Sequence, residues 1–211
     1  MSSRLTEIFQ DQKIIDKIQK KISYLFALAE LESSRAGRLG MEVGSLREKI
    51  LISLLIYKFG KANVDYQLPI TEPEIDVKLF GAPISIKTIT GLGGVKANWT
   101  VDAESARSFI DLYEPKADIM LVQINWNSTG YLFYIPLESQ QKVFKYYGKD
   151  RYFKLPKAGT NPRGVEFSKD ALIKLQNAEM TKKISINWQR PTEKLDLFEA
   201  YKRWVEYWGA E

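Results

Sequence analysis

Apolar and polar positions recur with two periods along this chain, and the switches between them mark out its elements. From residue 6 to about 32, Ile8, Ile14, Ile15, Ile18, Ile22 and Leu25 return mostly at threes and fours, with lysines and aspartates between them. This predicts one long amphipathic helix. Gly37, Gly40 and Gly44 interrupt it over residues 33–44. A second helix is predicted from Ser45 through a largely apolar run to Tyr57, then a short strand over 64–68. Residues 72–88 alternate with period two in two runs that meet at Gly81-Ala82-Pro83, the pattern of a β-hairpin. Past Gly91-Leu92-Gly93-Gly94 comes an extended piece, 95–101, and a helix opened by Asp102 and running to about Tyr113. Strands are predicted over 119–126 and 131–136, joined by 127–130. Ser168 is placed to cap another helix, 184–188 reads as a strand, and 191–208 as a closing amphipathic helix. Leu197, Phe198, Tyr201, Trp204, Val205 and Trp208 share one face of that helix, fitted either to the core or to a second copy. No repeat or low-complexity tract appears, and the loop 157–164 reads as an excursion within a single domain covering 1–211.

Composition narrows the chemistry. The 211 residues are 45% hydrophobic, enough for one full core. No apolar run approaches the length of a bilayer span and no signal peptide is evident, so the expectation is a soluble cytoplasmic protein with no membrane partner. Cysteine and histidine are both absent. That excludes disulfides, thiolate zinc sites, Ser–His triads and a histidine base. Carboxylates, lysine, tyrosine and serine remain, with oxygen-loving metals such as Mg²⁺, Mn²⁺ or Ca²⁺. The net charge of +5 is a mild bias toward anionic partners. Between Glu138 and Arg163, seven basic residues and two acids are interleaved with Phe144, Tyr146, Tyr147, Tyr152 and Phe153. These residues could neutralise phosphates and pack on sugars or bases, or form a solvated helix whose aromatic groups face the core.

The hairpin carries the most specific signal. Asp76 lies on its first strand and Lys87 on its second, ten residues between them. With period-two side chains, both can point to one face a few ångströms apart. An anion that can hold a metal beside a cation near an attacking water is what metal-dependent phosphodiester hydrolysis needs. A lysine set among the apolar residues of Ile84-Ser85-Ile86-Lys87-Thr88-Ile89 is expected to be partly buried, and a buried charge needs a partner. Asp76 is the obvious one. On the second helix, Glu48 reads either as a functional acid or as one half of a capping box with Ser45. Arg47 and Lys49, which flank it, are expected to face solvent or DNA.

This pattern resembles the PD-(D/E)xK nuclease superfamily, which includes most type II restriction endonucleases. The resemblance spans roughly residues 40–135 and implies an α/β (α+β) fold, a central mixed β-sheet flanked by helices with a helix-rich N-terminal part. Asp76 matches the first acid and Lys87 the lysine, with Ser85 at the position of the second acid. The resemblance implies Mg²⁺, with Mn²⁺ able to substitute, held by Asp76, the Ile86 carbonyl and the helical Glu48. It also implies a further acid recruited from downstream to offset Ser85. Glu104 is favoured over Asp102, with Glu74 as a third choice. As structural residues, Asp102 would be an N-cap and Glu104 a first-turn acid.

Recognition of double-stranded DNA would fall to loops. The stretch 35–44 brings Arg35, Arg38 and Met41 together with three glycines. Arginines can read groove edges, and a methionine can wedge between base pairs, although Leu39 and Met41 also suit a core. After the hairpin, Lys96 is placed to meet phosphate and Asn98 a base edge; Arg163 is a further basic candidate. The fuller resemblance is to compact homodimeric type II enzymes of restriction-modification systems, whose two sites address opposite strands. The expected function is therefore a Mg²⁺-dependent, sequence-specific endonuclease. Two alternatives stay open: a structure-specific repair or recombination nuclease of the same superfamily, and a non-catalytic DNA-binding domain, which Ser85 favours.

Overall fold

The computed structural model describes residues 3–35, 38–40, 42–69, 74–91, 93–98, 102–154, 164–192 and 195–209. A 3₁₀ turn, Arg4–Phe9, precedes α1 (Gln12–Ser33). The single long helix expected at the N-terminus is thus divided at Asp11, whose side chain accepts from the N–H groups of Lys13 and Ile14 and so caps a new helix. The period survives the break because Leu5, Ile8, Ile14 and Ile18 are all buried in one apolar cluster. Next come β1 (Ser34–Arg35), β2 (Arg38–Leu39), α2 (Val43–Phe59), a 3₁₀ turn (Lys61–Asn63), β3 (Val64–Asp65), β4 (Val77–Leu79), β5 (Ala82–Thr90) and β6 (Lys96–Asn98). The chain continues through α3 (Ala103–Leu112), β7 (Asp118–Ile124), β8 (Ser128–Ile135), α4 (Leu137–Tyr147), α5 (Lys149–Tyr152) and β9 (Phe153–Lys154). It closes with β10 (Val165–Phe167), α6 (Lys169–Gln176), β11 (Lys182–Trp188), a 3₁₀ turn (Leu197–Ala200) and α7 (Lys202–Gly209).

Six strands form a mixed sheet in the order β11-β8-β7-β5-β4-β3. Only β5 and β7 run parallel; the other neighbours are antiparallel. Both faces are covered. On β7, Met120 and Val122 join the cluster under α1 and α2, while Ile119 and Leu121 join the one under α3, α4 and α6. That is the period of a strand buried on both sides. The expected architecture, a central mixed sheet flanked by helices with a helical N-terminal part, is the one found.

Several boundaries differ from expectation for physical reasons. The hairpin turns at Phe80 and Gly81, not at Gly-Ala-Pro: both have positive φ (50° and 81°), as a two-residue type I′ turn requires. Pro83 already lies in β5, tolerated there because pairing with β7 starts only at Ile84. α2 begins at Val43, two residues ahead of Ser45. The closing helix is shorter than expected, and Phe198, Tyr201, Val205 and Trp208 are exposed, so they are not core. In the basic, aromatic segment Tyr152 and Phe153 are buried while Lys142, Lys145, Lys149, Arg151 and Lys154 are exposed, so most of the aromatic groups face the core. Among the described residues no helix is long and apolar enough to cross a membrane.

Candidate active site

The geometry starts with the register of β4 on β5. Val77 pairs with Ile84, and both belong to the cluster under α1 and α2. Asp76, one residue earlier, therefore points to the other face, the face of Ser85 and Lys87. Its N–H still donates to the Ile84 carbonyl at 3.0 Å. Past Ile84 the β4 ladder ends, and the Asp76 carboxylate takes its place. Oδ2 accepts from the Ile86 N–H at 2.5 Å and from the Ser85 hydroxyl at 3.3 Å. Lys87 Nζ lies 3.6 Å from the same oxygen, with side-chain exposures of 16% for Lys87 and 18% for Asp76. The pair is thus sheltered yet open to an incoming ligand. Because N–H and C=O of one strand residue point to the same edge, the Ile86 carbonyl also faces this end of the sheet.

Glu48 comes to the same place from α2. The helix starts early enough to put Ser45 inside its first turn, and the N-cap residue Glu42 makes no side-chain capping bond. No capping box holds Glu48. It is half-buried instead, in a cleft of about 410 Å³ whose lining includes Asp76, Ile86 and Lys87, with Lys96 and Asn98 on the β6 wall. Burial, and then the negative charge of Asp76, raise the Glu48 carboxyl above its ordinary value, while Lys87 pulls the other way. A half-buried acid facing a second acid is strained while both are ionised, and a divalent cation relieves that strain.

Behind Lys87 lies a second, smaller cavity of about 20 Å³, lined by Glu74, Ser85, Tyr113, Lys116 and Gln140 among others. It has room for about one water. Burial raises the Glu74 carboxyl, opposed by Lys116 and Lys87. Lys87 thus lines two cavities, with Asp76 and Glu48 in one and Glu74 in the other. Among the described residues no group of three or more acids gathers as a ready-made metal cage. Two carboxylates and a carbonyl nevertheless suit a small hard cation, which keeps several waters and accepts phosphate oxygens.

The other expected residues are less closely placed. Lys96 and Asn98 line the cleft wall. Asp102 caps α3, accepting from the Ser105 N–H at 2.7 Å, and that bond lowers its carboxyl. Glu104 is exposed in the first turn of α3 and does not line the cleft. Arg35 and Arg38 pair across the short β1–β2 ladder, whereas Met41 and Arg163 lie outside the described residues. Arg47 departs most from expectation. It is buried, not turned to solvent or DNA, and its guanidinium meets Glu30 at 2.7 Å. A carboxylate inside the apolar run 25–31 was the available signal for this pair, but nothing local names its partner.

A family model described as restriction endonuclease ThaI matches residues 8–210. A solved structure described as a restriction endonuclease in complex with substrate DNA is 57% identical in sequence, with a TM-score of 0.88, covering 98% of this chain and 99% of that one. Among curated proteins none matches. The expectation of a type II restriction endonuclease is met. With the family match running over nearly its whole length, the chain belongs to the ThaI family of restriction endonucleases, site-specific nucleases of type II.

Proposed function

We propose that this endonuclease, acting as one nuclease domain per copy, cuts double-stranded DNA with Mg²⁺ (or Mn²⁺) held by Asp76, Glu48 and the Ile86 carbonyl. The observation that carries the reading is the 3.6 Å approach of Lys87 to Asp76 in the lining of a cleft that also receives Glu48. The relative solved with its substrate DNA supports the substrate class. When bound, the cation supplies Lewis-acid activation of the phosphoryl oxygen and of the attacking water. Ser85 and the Ile86 N–H fix the Asp76 carboxylate through their hydrogen bonds. Lys87 orients the water and offsets the charge that develops on phosphate. Lys96 and Asn98, on the opposite wall, face the DNA, joined by Arg35, Arg38, Met41 and Arg163. Glu48 supplies the acid that Ser85 does not, and Glu104, being exposed and away from the lining, is left out of the ligand set.

The reading includes a homodimer, because one cleft addresses one strand and cutting both requires a second copy. The exposed Phe198, Tyr201, Val205 and Trp208 form the apolar surface that the second copy would cover. The test is digestion of a mixed-sequence plasmid with Mg²⁺. Discrete bands are expected, with cutting lost in Asp76→Ala and Lys87→Ala while DNA binding in Ca²⁺ stays measurable. A smear would mean recognition of DNA structure. Cutting by either variant would end the assignment of Asp76 and Lys87.

A further inference from the structure

A polar cluster centred on a buried ion pair joins α1 and α2 to the ends of β5, β7 and β11. Glu30, in the last turn of α1, meets Arg47 of α2 at 2.7 Å, with side-chain exposures of 7% and 6%. The Trp126 indole N–H, just past β7, donates to Glu30 Oε1 at 2.8 Å. Arg190, just past β11, approaches Glu30 Oε2 at 3.0 Å and lies over the Trp126 ring. Arg47 also donates to the Thr90 hydroxyl at 3.3 Å. One guanidinium therefore joins the helix that carries Glu48, its next residue, to the strand that carries Ile86 and Lys87, three residues before Thr90.

Stability alone is a poor account of this cluster. Removing two charges from water offsets most of their attraction, and well-packed apolar residues commonly serve as well. The Arg47 Nε has no hydrogen-bond partner despite its burial. What an ion pair with a forked donor adds is a fixed distance and direction between the elements it joins. We infer that Glu30 and Arg47 are positioning residues: by locking α2 against the end of β5 they set the separation between Glu48 and the Asp76–Ile86 edge, and so the affinity of the cleft for a divalent cation. This rests on the reading of Glu48 and Asp76 as the metal-holding pair.

The experiment compares the parent with Glu48→Gln, Thr90→Val and the double variant Glu30→Leu/Arg47→Met. Each is unfolded in urea. For each, the Ca²⁺ concentration needed for half-maximal binding of a labelled duplex cut by the parent is measured, together with the Mn²⁺ dependence of cleavage. Expected is a double variant that still unfolds cooperatively, at a lower urea midpoint because Trp126 and Arg190 lose Glu30, and whose Ca²⁺ and Mn²⁺ requirements both rise about tenfold or more, with cleavage restored near parental rates by excess Mn²⁺. Thr90→Val keeps the ion pair and its fold, and should shift both requirements in the same direction by a smaller factor. Unchanged requirements in both variants would overturn the inference, as would a loss of cleavage that excess Mn²⁺ does not restore. If Glu48→Gln itself leaves the Ca²⁺ requirement unchanged, the underlying reading of Glu48 fails, a result distinguishable from failure of the brace.

Discussion

Replacing Asp76 by asparagine or by alanine separates what this residue does for the fold from what it does for the chemistry. At 3.6 Å the Asp76–Lys87 attraction is about 4–5 kcal/mol at an effective dielectric of about 20. Desolvation of two sheltered charges cancels most of that. The hydrogen bond from the Ile86 N–H to a charged acceptor contributes about 1.5–3 kcal/mol. Relief of the repulsion between Asp76 and Glu48 returns part of the loss. Asp76→Ala should therefore cost about 2–3 kcal/mol, because Ile86 N–H, the Ser85 hydroxyl and Lys87 all lose their acceptor. Asp76→Asn should cost only about 1 kcal/mol, since its amide oxygen still accepts from Ile86. For a chain of this size the melting point falls by about 2–4 °C per kcal/mol, giving about 4–12 °C for alanine and about 2–4 °C for asparagine. Cleavage should not follow that order. Both variants lose the charged ligand, a loss of several kcal/mol at the transition state and thus at least about 10³-fold in rate. Melting curves and plasmid-cleavage time courses at saturating Mg²⁺ make the comparison. An asparagine variant that cuts near the parental rate, or rates that track stability, would show that the Asp76 charge is not needed for cleavage.

Three further outcomes are expected. Glu48→Gln should lower cleavage by about 10²-fold or more, and the metal-free protein should be no less stable at neutral pH. The sign follows from the raised Glu48 carboxyl. The folded state holds that proton more tightly than the unfolded chain, so stability falls as pH rises from the ordinary glutamate range through the raised value. Affinity for Ca²⁺ rises over the same range, and the glutamine variant should lose both dependences in urea and Ca²⁺ titrations. Gly130→Ala should cost about 2–3 kcal/mol in urea unfolding, because an added Cβ would collide with the Gln123 carbonyl and the Trp188 indole, neither free to move; a parental midpoint would contradict the packing around Trp188. Val205→Lys combined with Trp208→Lys should halve the mass seen by sedimentation equilibrium, whereas an unchanged mass would place the dimer contact elsewhere.

The cleft was legible in the sequence where its geometry follows from local rules. Period-two alternation marks Asp76 and Lys87 as candidates for one face, and the two-residue turn at Phe80–Gly81 sets the register that puts them there; a one-residue shift of that register would have placed them on opposite faces. The caps at Asp102 and Ser168 were likewise legible, each a single side chain accepting an N–H three residues on. The start of α2 was not, since its N-cap residue makes no side-chain bond and leaves no signature. The burial of Arg47 is not legible locally, because its partner, Glu30, is seventeen positions away on another helix. The division at Asp11 was hidden by an unbroken apolar period, although Asp11 itself, which also pairs with Lys58, was the available sign. The exposed face of α7 could not be told from a core face, because both present the same spacing.

Whether Asp76, Ile86 and Glu48 hold the cation is decided by the anomalous signal of Mn²⁺ in a crystal of the protein with DNA. An ion is expected within about 2.0–2.3 Å of a carboxylate oxygen of Asp76, the Ile86 carbonyl and a carboxylate oxygen of Glu48, with a phosphate oxygen completing its shell. An ion that leaves Asp76 unligated, or one held by Glu104 in place of Glu48, would contradict this ligand set.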